Sequence, residues 1–294
     1  MRFGLFPGCI VQSEQYAFEI SARETLPTLG IQIKEIDGLS CCGYSLKNVS
    51  IPAWFYMSAR NLALAEKNEI DLLSLCNGCN LSFREVKNYL SENTKLRERI
   101  NSLLSMEELK YTGKAKSWHI LEVFNQVVGV EKIKSLVKVP LNGLKFAAHY
   151  GCHALRPSQI GLIDDPENPH ILEELIQALG ASAVDYPQRL DCCGQGLSMT
   201  TGKTALTISG GKLKAIQDQL FDGVVTICPF CMKMLDSKQR AIRVSTDYKE
   251  VNMPVFYYTQ LLGLAMGLDI EPIGLTLNSS PVGEILNKIG GNKK

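Results

Sequence analysis

Ten cysteines are the reactive residues that stand out in this 294-residue chain, and they fall into one pattern written twice. Cys9, Cys41-Cys42-Gly43 and Cys76-Asn77-Gly78-Cys79 make the first copy. Cys152, Cys192-Cys193-Gly194 and Cys228-Pro229-Phe230-Cys231 make the second. The leading cysteines are 143 residues apart and the others 151 or 152, so one eight-residue insertion and one single-residue insertion relate the copies. The flanks repeat too: Arg2-Phe3-Gly4-Leu5-Phe6-Pro7-Gly8 lies over Lys145-Phe146-Ala147-Ala148-His149-Tyr150-Gly151. A repeat of about half the chain reads as a duplicated domain, since solenoid units are far shorter.

A thiolate is a soft metal ligand, and a Cys-x-x-Cys pair at a helix start brings two sulfurs to one metal where backbone N–H groups favour their charge. Zinc is satisfied by four such ligands, and so is an ordinary four-iron cubane. Each copy offers five. Adjacent cysteines cannot comfortably cap one metal but can reach two different irons, so an iron–sulfur cluster with an extra or bridging thiolate suits the count. Gly43 and Gly194 would let the turn take a positive φ and approach inorganic sulfide. A structural zinc with one spare thiol, or adjacent cysteines serving partly as core, fits the spacing as well. The opening Met1-Arg2-Phe3-Gly4-Leu5-Phe6-Pro7-Gly8-Cys9 lacks the pattern of a secretory signal, so the expected location is the cytoplasm, where thiols stay reduced and a disulfide framework is disfavoured.

Elements must carry these thiols to one place. Strands are expected at 2–6, 31–36 and 71–75 and again at 145–149, 181–185 and 223–227, with helices at 14–28, 52–68, 168–179 and 203–220 and another opening at Cys76. Strands alternating with helices imply an α/β fold of two pseudo-symmetric Rossmann-like halves, residues 1–140 and 141–294, each a parallel sheet flanked by helices. Every cysteine group then follows a strand, and open α/β sheets place their sites at the strands' carboxyl ends. The charge-rich stretch 91–116 and residues 237–253 read as connections or insertions. The apolar run Pro254–Ile270 reads as a core helix too short to span a membrane, and 274–294 carries little signal. With 31 Lys+Arg against 30 Asp+Glu the net charge is +1, which argues against a general nucleic-acid binder. Gly196 to Thr204 imitates a phosphate loop, but five residues separate its glycines where four are required, so no ATP site is expected.

The doubled Cys…Cys-Cys-Gly…Cys-x-x-Cys pattern resembles the cysteine-rich CCG domain family, over about residues 2–270, and within it most resembles the heterodisulfide reductase B subunit of methanogenic archaea. Relatives with an amino-terminal ferredoxin stretch differ from this chain, which lacks it. The resemblance implies two non-cubane [4Fe-4S] clusters, one held by Cys9, Cys41, Cys42, Cys76 and Cys79 and one by Cys152, Cys192, Cys193, Cys228 and Cys231. It implies reduction of the coenzyme M–coenzyme B disulfide in methanogenesis, within a multi-subunit complex. Electrons would come from a ferredoxin-like iron–sulfur subunit of the C type and, through it, from a flavin-containing A-type subunit. The alternative within the family is an electron-relay subunit of a lactate, glycerol-3-phosphate or succinate oxidoreductase, and a zinc-held scaffold lies outside it.

Side chains beside the thiols follow. His153, next to Cys152, is expected to give a proton to a departing thiolate, the plainer role being a bond to a backbone carbonyl. His149 is expected to be buried and hydrogen-bonded, His119 to pack at a helix start that matches Tyr257, and His170 to face solvent. An anionic substrate would need cations on its approach, and Arg156, Lys203 and Lys212 are the candidates because they follow cluster motifs. Differences between the copies beside the clusters, Tyr44-Ser45 against Gln195-Gly196 and Asn77-Gly78 against Pro229-Phe230, predict unequal potentials.

Overall fold

The computed structural model describes residues 1–161 and 163–291. Two four-stranded, all-parallel sheets form its frame. The first runs β2-β1-β3-β4, from Gln32–Lys34, Arg2–Phe6, Leu72–Ser74 and Ser117–His119. The second runs β6-β5-β7-β8, from Ser182–Ala183, Lys145–His149, Gly223–Thr226 and Val255–Tyr257. Both faces are covered, so the central strands are apolar throughout: Phe3, Leu5, Leu72 and Leu73 in one sheet and Phe146, Ala147, Val224 and Val225 in the other are at most 1% exposed.

Helices α1 (Cys9–Ser13), α2 (Tyr16–Thr28), α3 (Ile51–Lys67), α4 (Asn77–Glu92) and α5 (Thr94–Leu104) belong to the first half. In the second, α8 (Cys152–Leu155), α9 (Ser158–Gly161), α10 (Ile171–Ala178), α11 (Gly202–Asp218), α12 (Pro229–Met232) and α13 (Gln239–Ser245) take the same places. Between the sheets lie α6 (Ile120–Glu122), a π-helical turn at Val123–Val128 and α7 (Val130–Ser135). After the second come α14 (Tyr258–Ala265) and α15 (Gly283–Gly291). Helix α3 starts sharply because Ser50 Oγ accepts from Ala53 N at 3.4 Å and Pro52 sits in the first turn. Such a cap is worth about 1 kcal/mol.

The halves are interleaved. Helix α14 packs on α2 of the first half, where Phe18 stacks on Tyr257 at 4.1 Å between centroids and Ser21 Oγ meets Thr259 Oγ1 at 2.6 Å. Reciprocally, α7 and the π turn pack on α10 of the second half, and Phe124 lies 5.2 Å from Tyr258. One apolar core therefore contains residues of both halves, from Phe3 to Ile289. The sheets separate between His119 and Lys145, but residues 120–139 pack with the second half, tied also by Lys138 N and Val139 N to Ala265 O.

The run Pro254–Ile270 is not one helix: Val255–Tyr257 pairs with β7, and the helix begins only at Tyr258. Gln260 Oε1 accepts from Tyr257 N at 3.0 Å at the switch, as Glu122 Oε2 accepts from His119 N at 2.8 Å after β4. Stretch 91–116 holds α5, and 237–253 holds α13.

Candidate metal centre

Strand order reverses between β1 and β3 in the first sheet and between β5 and β7 in the second. Such switch points open a crevice at the carboxyl ends of the strands. Cys9 follows β1 and Cys76 follows β3, Cys152 follows β5 and Cys228 follows β7, while the Cys-Cys pairs follow β2 and β6. All ten thiols are free, with Cys9, Cys152 and Cys192 exposed, Cys41 half-buried and the rest buried.

The thiols contact one another in an unbroken series. Cys41 Sγ lies 4.0 Å from Cys9 Sγ, and the thiols interact electrostatically in turn, Cys41 with Cys42, Cys42 with Cys79 and Cys79 with Cys76. Cys76 then meets Cys228 across the two halves. The second half mirrors the first through Cys231, Cys193, Cys192 and Cys152. Electrostatics follow from that crowding. Hydrogen bonds from Cys42 and Cys9 pull Cys41 down to about 2, and those from Cys152 and Cys193 pull Cys192 to about 2. Donating into these bonds pushes Cys42 and Cys193 up to about 12. Backbone N–H groups of Gly43 and Gly194 also point at Cys41 Sγ and Cys192 Sγ, at 3.4 and 3.3 Å. Such a packed set cannot ionise fully unless multivalent cations sit among the sulfurs, and two groups of five soft donors suit iron–sulfur clusters.

Backbone and second-layer residues hold each set in the same way. Gly8 (φ +86°) and Gly151 (φ +73°) precede the leading cysteines, and a Cβ on either would come within 3.0 Å of Cys79 Sγ or Cys231 Sγ. Gly43 and Gly194 adopt left-handed φ of +80° and +87° against the first turns of α3 and α11. Ser58 Oγ donates to Cys42 O at 2.6 Å, and Ser209 Oγ to Cys193 O at 2.7 Å. The amide of Asn61 bonds Ser40 O and Cys41 O, each at 3.2 Å, while Ser40 N returns a bond to Asn61 Oδ1. Its counterpart 151 residues on is Lys212. These serines, Asn61 and the glycines before the leading cysteines were not anticipated, although that same offset relates each pair and would have paired Ser58 with Ser209.

The placement of Lys212 differs from the expectation. It is 3% exposed, and its Nζ donates to Gln188 O, Arg189 O and Asp191 O at 2.6, 3.3 and 3.1 Å. It pins the loop ahead of Cys192 and has no free face toward an approaching anion, and burial draws it down to about 8. Arg156 is exposed, reaches Pro166 O at 3.2 Å and edges a cleft with His149, Cys152, Arg189 and Asp191. Lys203 is exposed on the first turn of α11.

His153 is half-buried and crosses between the halves. Its Nε2 lies 2.8 Å from Tyr44 Oη, the residue after Gly43, and the rings meet edge to face at 4.9 Å. Its Nδ1 lies over Gly78, within the Cys76–Cys79 turn, and burial lowers its affinity for a proton. No backbone carbonyl takes up this ring among the described bonds. Asn77 adds a second tie across the halves, its Nδ2 donating to Tyr150 O at 2.7 Å. His119 is buried at the start of α6, its Nδ1 accepting from Leu121 N at 3.2 Å, and His170 is exposed. His149 is buried as expected, but neither ring nitrogen has a hydrogen-bond partner; instead one of them lies within 4.8 Å of Cys193 Sγ and Cys231 Sγ.

Known proteins resemble this chain along its length. The cysteine-rich CCG domain model matches residues 3–84 and 146–236, once per half. A protein of Archaeoglobus profundus described as like the heterodisulfide reductase B subunit is 35% identical, over 100% of both chains. The B subunit of the ferredoxin/F(420)H(2)-dependent CoB-CoM heterodisulfide reductase of Methanosarcina acetivorans is 34% identical over 98% of this chain and 97% of its own. The 8-methylmenaquinol:fumarate reductase membrane anchor subunit of Wolinella succinogenes is 36% identical over 94% and 96%. Among solved structures, a hypothetical protein from Helicobacter pylori superposes with a TM-score of 0.77 at 16% identity, covering 96% of this chain and 52% of that one, which is a likeness of fold. No helix among the described residues is long and apolar enough to cross a membrane. Matched in both halves and 34–36% identical to relatives of its own length, the chain belongs to the cysteine-rich CCG domain family.

Proposed function

We propose that this chain is an iron–sulfur oxidoreductase subunit that reduces the coenzyme M–coenzyme B disulfide to two thiols at paired non-cubane [4Fe-4S] clusters. One observation carries the reading: two equivalent five-thiol sets meet at Cys76 and Cys228, with Cys9 and Cys152 exposed at the outer end of each series. When bound, the clusters supply the two single electrons that splitting a disulfide consumes. The chain's own residues handle the rest. Cys9, Cys41, Cys42, Cys76 and Cys79 hold one group, and Cys152, Cys192, Cys193, Cys228 and Cys231 the other. Gly8, Gly151, Ser58, Ser209, Asn61 and Lys212 keep those sulfurs in register. Tyr44 Oη and His153 Nε2 share a proton across 2.8 Å beside both sets, where a product thiolate must be protonated. Arg156 and Lys203 are the exposed cations for an anionic substrate. Electrons enter from a ferredoxin-like iron–sulfur subunit of the C type, fed by a flavin-containing A-type subunit, in a cytoplasmic complex.

A second reading is supported by the Wolinella succinogenes relative, whose name places it in a quinol:fumarate reductase. There the same clusters would relay electrons and touch no disulfide. Anaerobic purification with iron, sulfide and zinc analysis, joined to a thiol-release assay on the coenzyme M–coenzyme B disulfide with a reduced dye, separates the two. About eight irons per chain, as two four-iron clusters require, with thiol release supports the first reading. The same iron without thiol release supports the relay, and zinc without iron refutes both.

A further inference from the structure

The two sites differ at one position that points straight at the sulfurs. His149 closes β5, opposite Thr226 of β7, and is 1% exposed. Its Nδ1 and Nε2 are both buried without a hydrogen-bond partner, and the ring lies in a group with Cys193 Sγ and Cys231 Sγ whose members are within 4.8 Å of one another. A buried, unpaired imidazole costs about 1–3 kcal/mol for each group left unsatisfied, so the fold keeps it only where something absent from the protein chain completes it. The other half solves the same position differently. There Phe6 ends β1, 2% exposed, with its ring 4.8 Å from Phe83 and no polar atom to offer. An imidazole carries at least one N–H in either protonation state, so a donor is available there.

We infer that His149 donates an N–H hydrogen bond to a sulfur of the carboxyl-terminal iron–sulfur group, a bond that the amino-terminal group lacks because Phe6 takes its place. This rests on the proposed iron–sulfur occupancy. Donors to cluster sulfurs stabilise the reduced, more negative state, so His149 raises the potential of the carboxyl-terminal group above what that group would have without it. His149 is a positioning residue in this sense: it acts through the sulfur it bonds.

The test is a redox titration followed by electron paramagnetic resonance on anaerobically purified protein, with iron and sulfide counted on the same samples. His149→Phe, which installs the other half's residue, is expected to keep the full iron content and the circular dichroism of the parent. One of the two midpoints is expected to move downward while the other stays. His149→Gln retains an N–H and is expected to restore most of that shift. Phe6→His is the reciprocal variant, which raises the amino-terminal midpoint and keeps the inference testable if His149→Phe does not fold. Unmoved midpoints in His149→Phe, or both midpoints moving equally, overturn the inference. Loss of half the iron from a folded His149→Phe with disappearance of one signal also overturns it, by making His149 a metal ligand. Zinc in place of iron in the parent overturns the occupancy on which it rests, a result distinct from iron present with unmoved potentials.

Discussion

Substituting alanine at Gly8, Gly151 and Gly129 separates the backbone and the sulfur-packing roles of glycine. All three adopt a conformation available essentially to glycine alone: φ 86°, ψ 157° at Gly8, φ 73°, ψ 146° at Gly151 and φ 84°, ψ 145° at Gly129. A side chain there costs about 1–3 kcal/mol of backbone strain. At Gly129 a Cβ meets nothing within 4 Å, so strain is the whole effect. At Gly8 it would stand 3.0 Å from Cys79 Sγ, and at Gly151 3.0 Å from Cys231 Sγ and 2.9 Å from Asn77 Nδ2. That falls at least about 0.5 Å short of ordinary contact, while metal–ligand distances tolerate only about 0.2 Å. The sulfur must therefore move further than a metal site allows. Gly129→Ala is expected to lower the urea midpoint of the metal-free chain and keep all its iron. Gly8→Ala and Gly151→Ala are expected to lower that midpoint at least as much and each lose about half the iron. The assay is colorimetric iron per chain beside urea unfolding. Full iron in Gly8→Ala, with a stability loss matching Gly129→Ala, would refute the argument that clearance at the sulfur governs loading.

Three further outcomes are expected. Lys212→Met leaves the carbonyls of Gln188, Arg189 and Asp191 without their donor, a loss of about 3 kcal/mol or more that urea unfolding reads, accompanied by iron loss from the carboxyl-terminal set alone. His119 is held neutral by burial, down to about 3, so the folded state binds fewer protons than the unfolded one and stability falls as pH drops below about 6.5. Against His119→Asn, which keeps the helix cap, the parent should lose about 2 kcal/mol between pH 7 and pH 5, and a constant difference in urea stability over that range would contradict it. Tyr44→Phe removes the hydroxyl 2.8 Å from His153 Nε2 and should cut kcat for thiol release about tenfold, equivalent to one hydrogen bond, with iron content intact. An unaltered kcat would remove Tyr44 from the proton path.

The ten cysteines, their division into two sets and the α/β frame were legible because ligand spacing and repeat offset are properties of the chain itself. Strands β1, β5 and β7 and helices α3, α4 and α11 lie within a few residues of their expected bounds for the same reason: their apolar runs are bounded by turns. The edge strands β4 and β8 were not anticipated. Each is three residues long and leads directly into a helix, and Val255-Phe256-Tyr257 is apolar enough to serve either state until its pairing with β7 decides. The direction of the Lys212 side chain depends on the fold on similar grounds. A lysine after a cluster motif has the right charge for an anion, but its direction is set by three carbonyls from a loop about twenty residues earlier in the chain.

Which thiols are available, and their division into five per half, can be read from the chain, since a thiol's affinity for metal and a count need no coordinates. How the two sets relate needed the folded chain. The contact of Cys76 with Cys228, the bond from Tyr44 to His153 and the unpartnered ring of His149 beside Cys193 all join residues that are distant in the chain. The physical reason is the exchange of α14 and α7 between halves, which buries one core shared by both and so fixes their mutual orientation. Apolar burial has no direction along a sequence, and its partner across an interface is known only once the chain has folded.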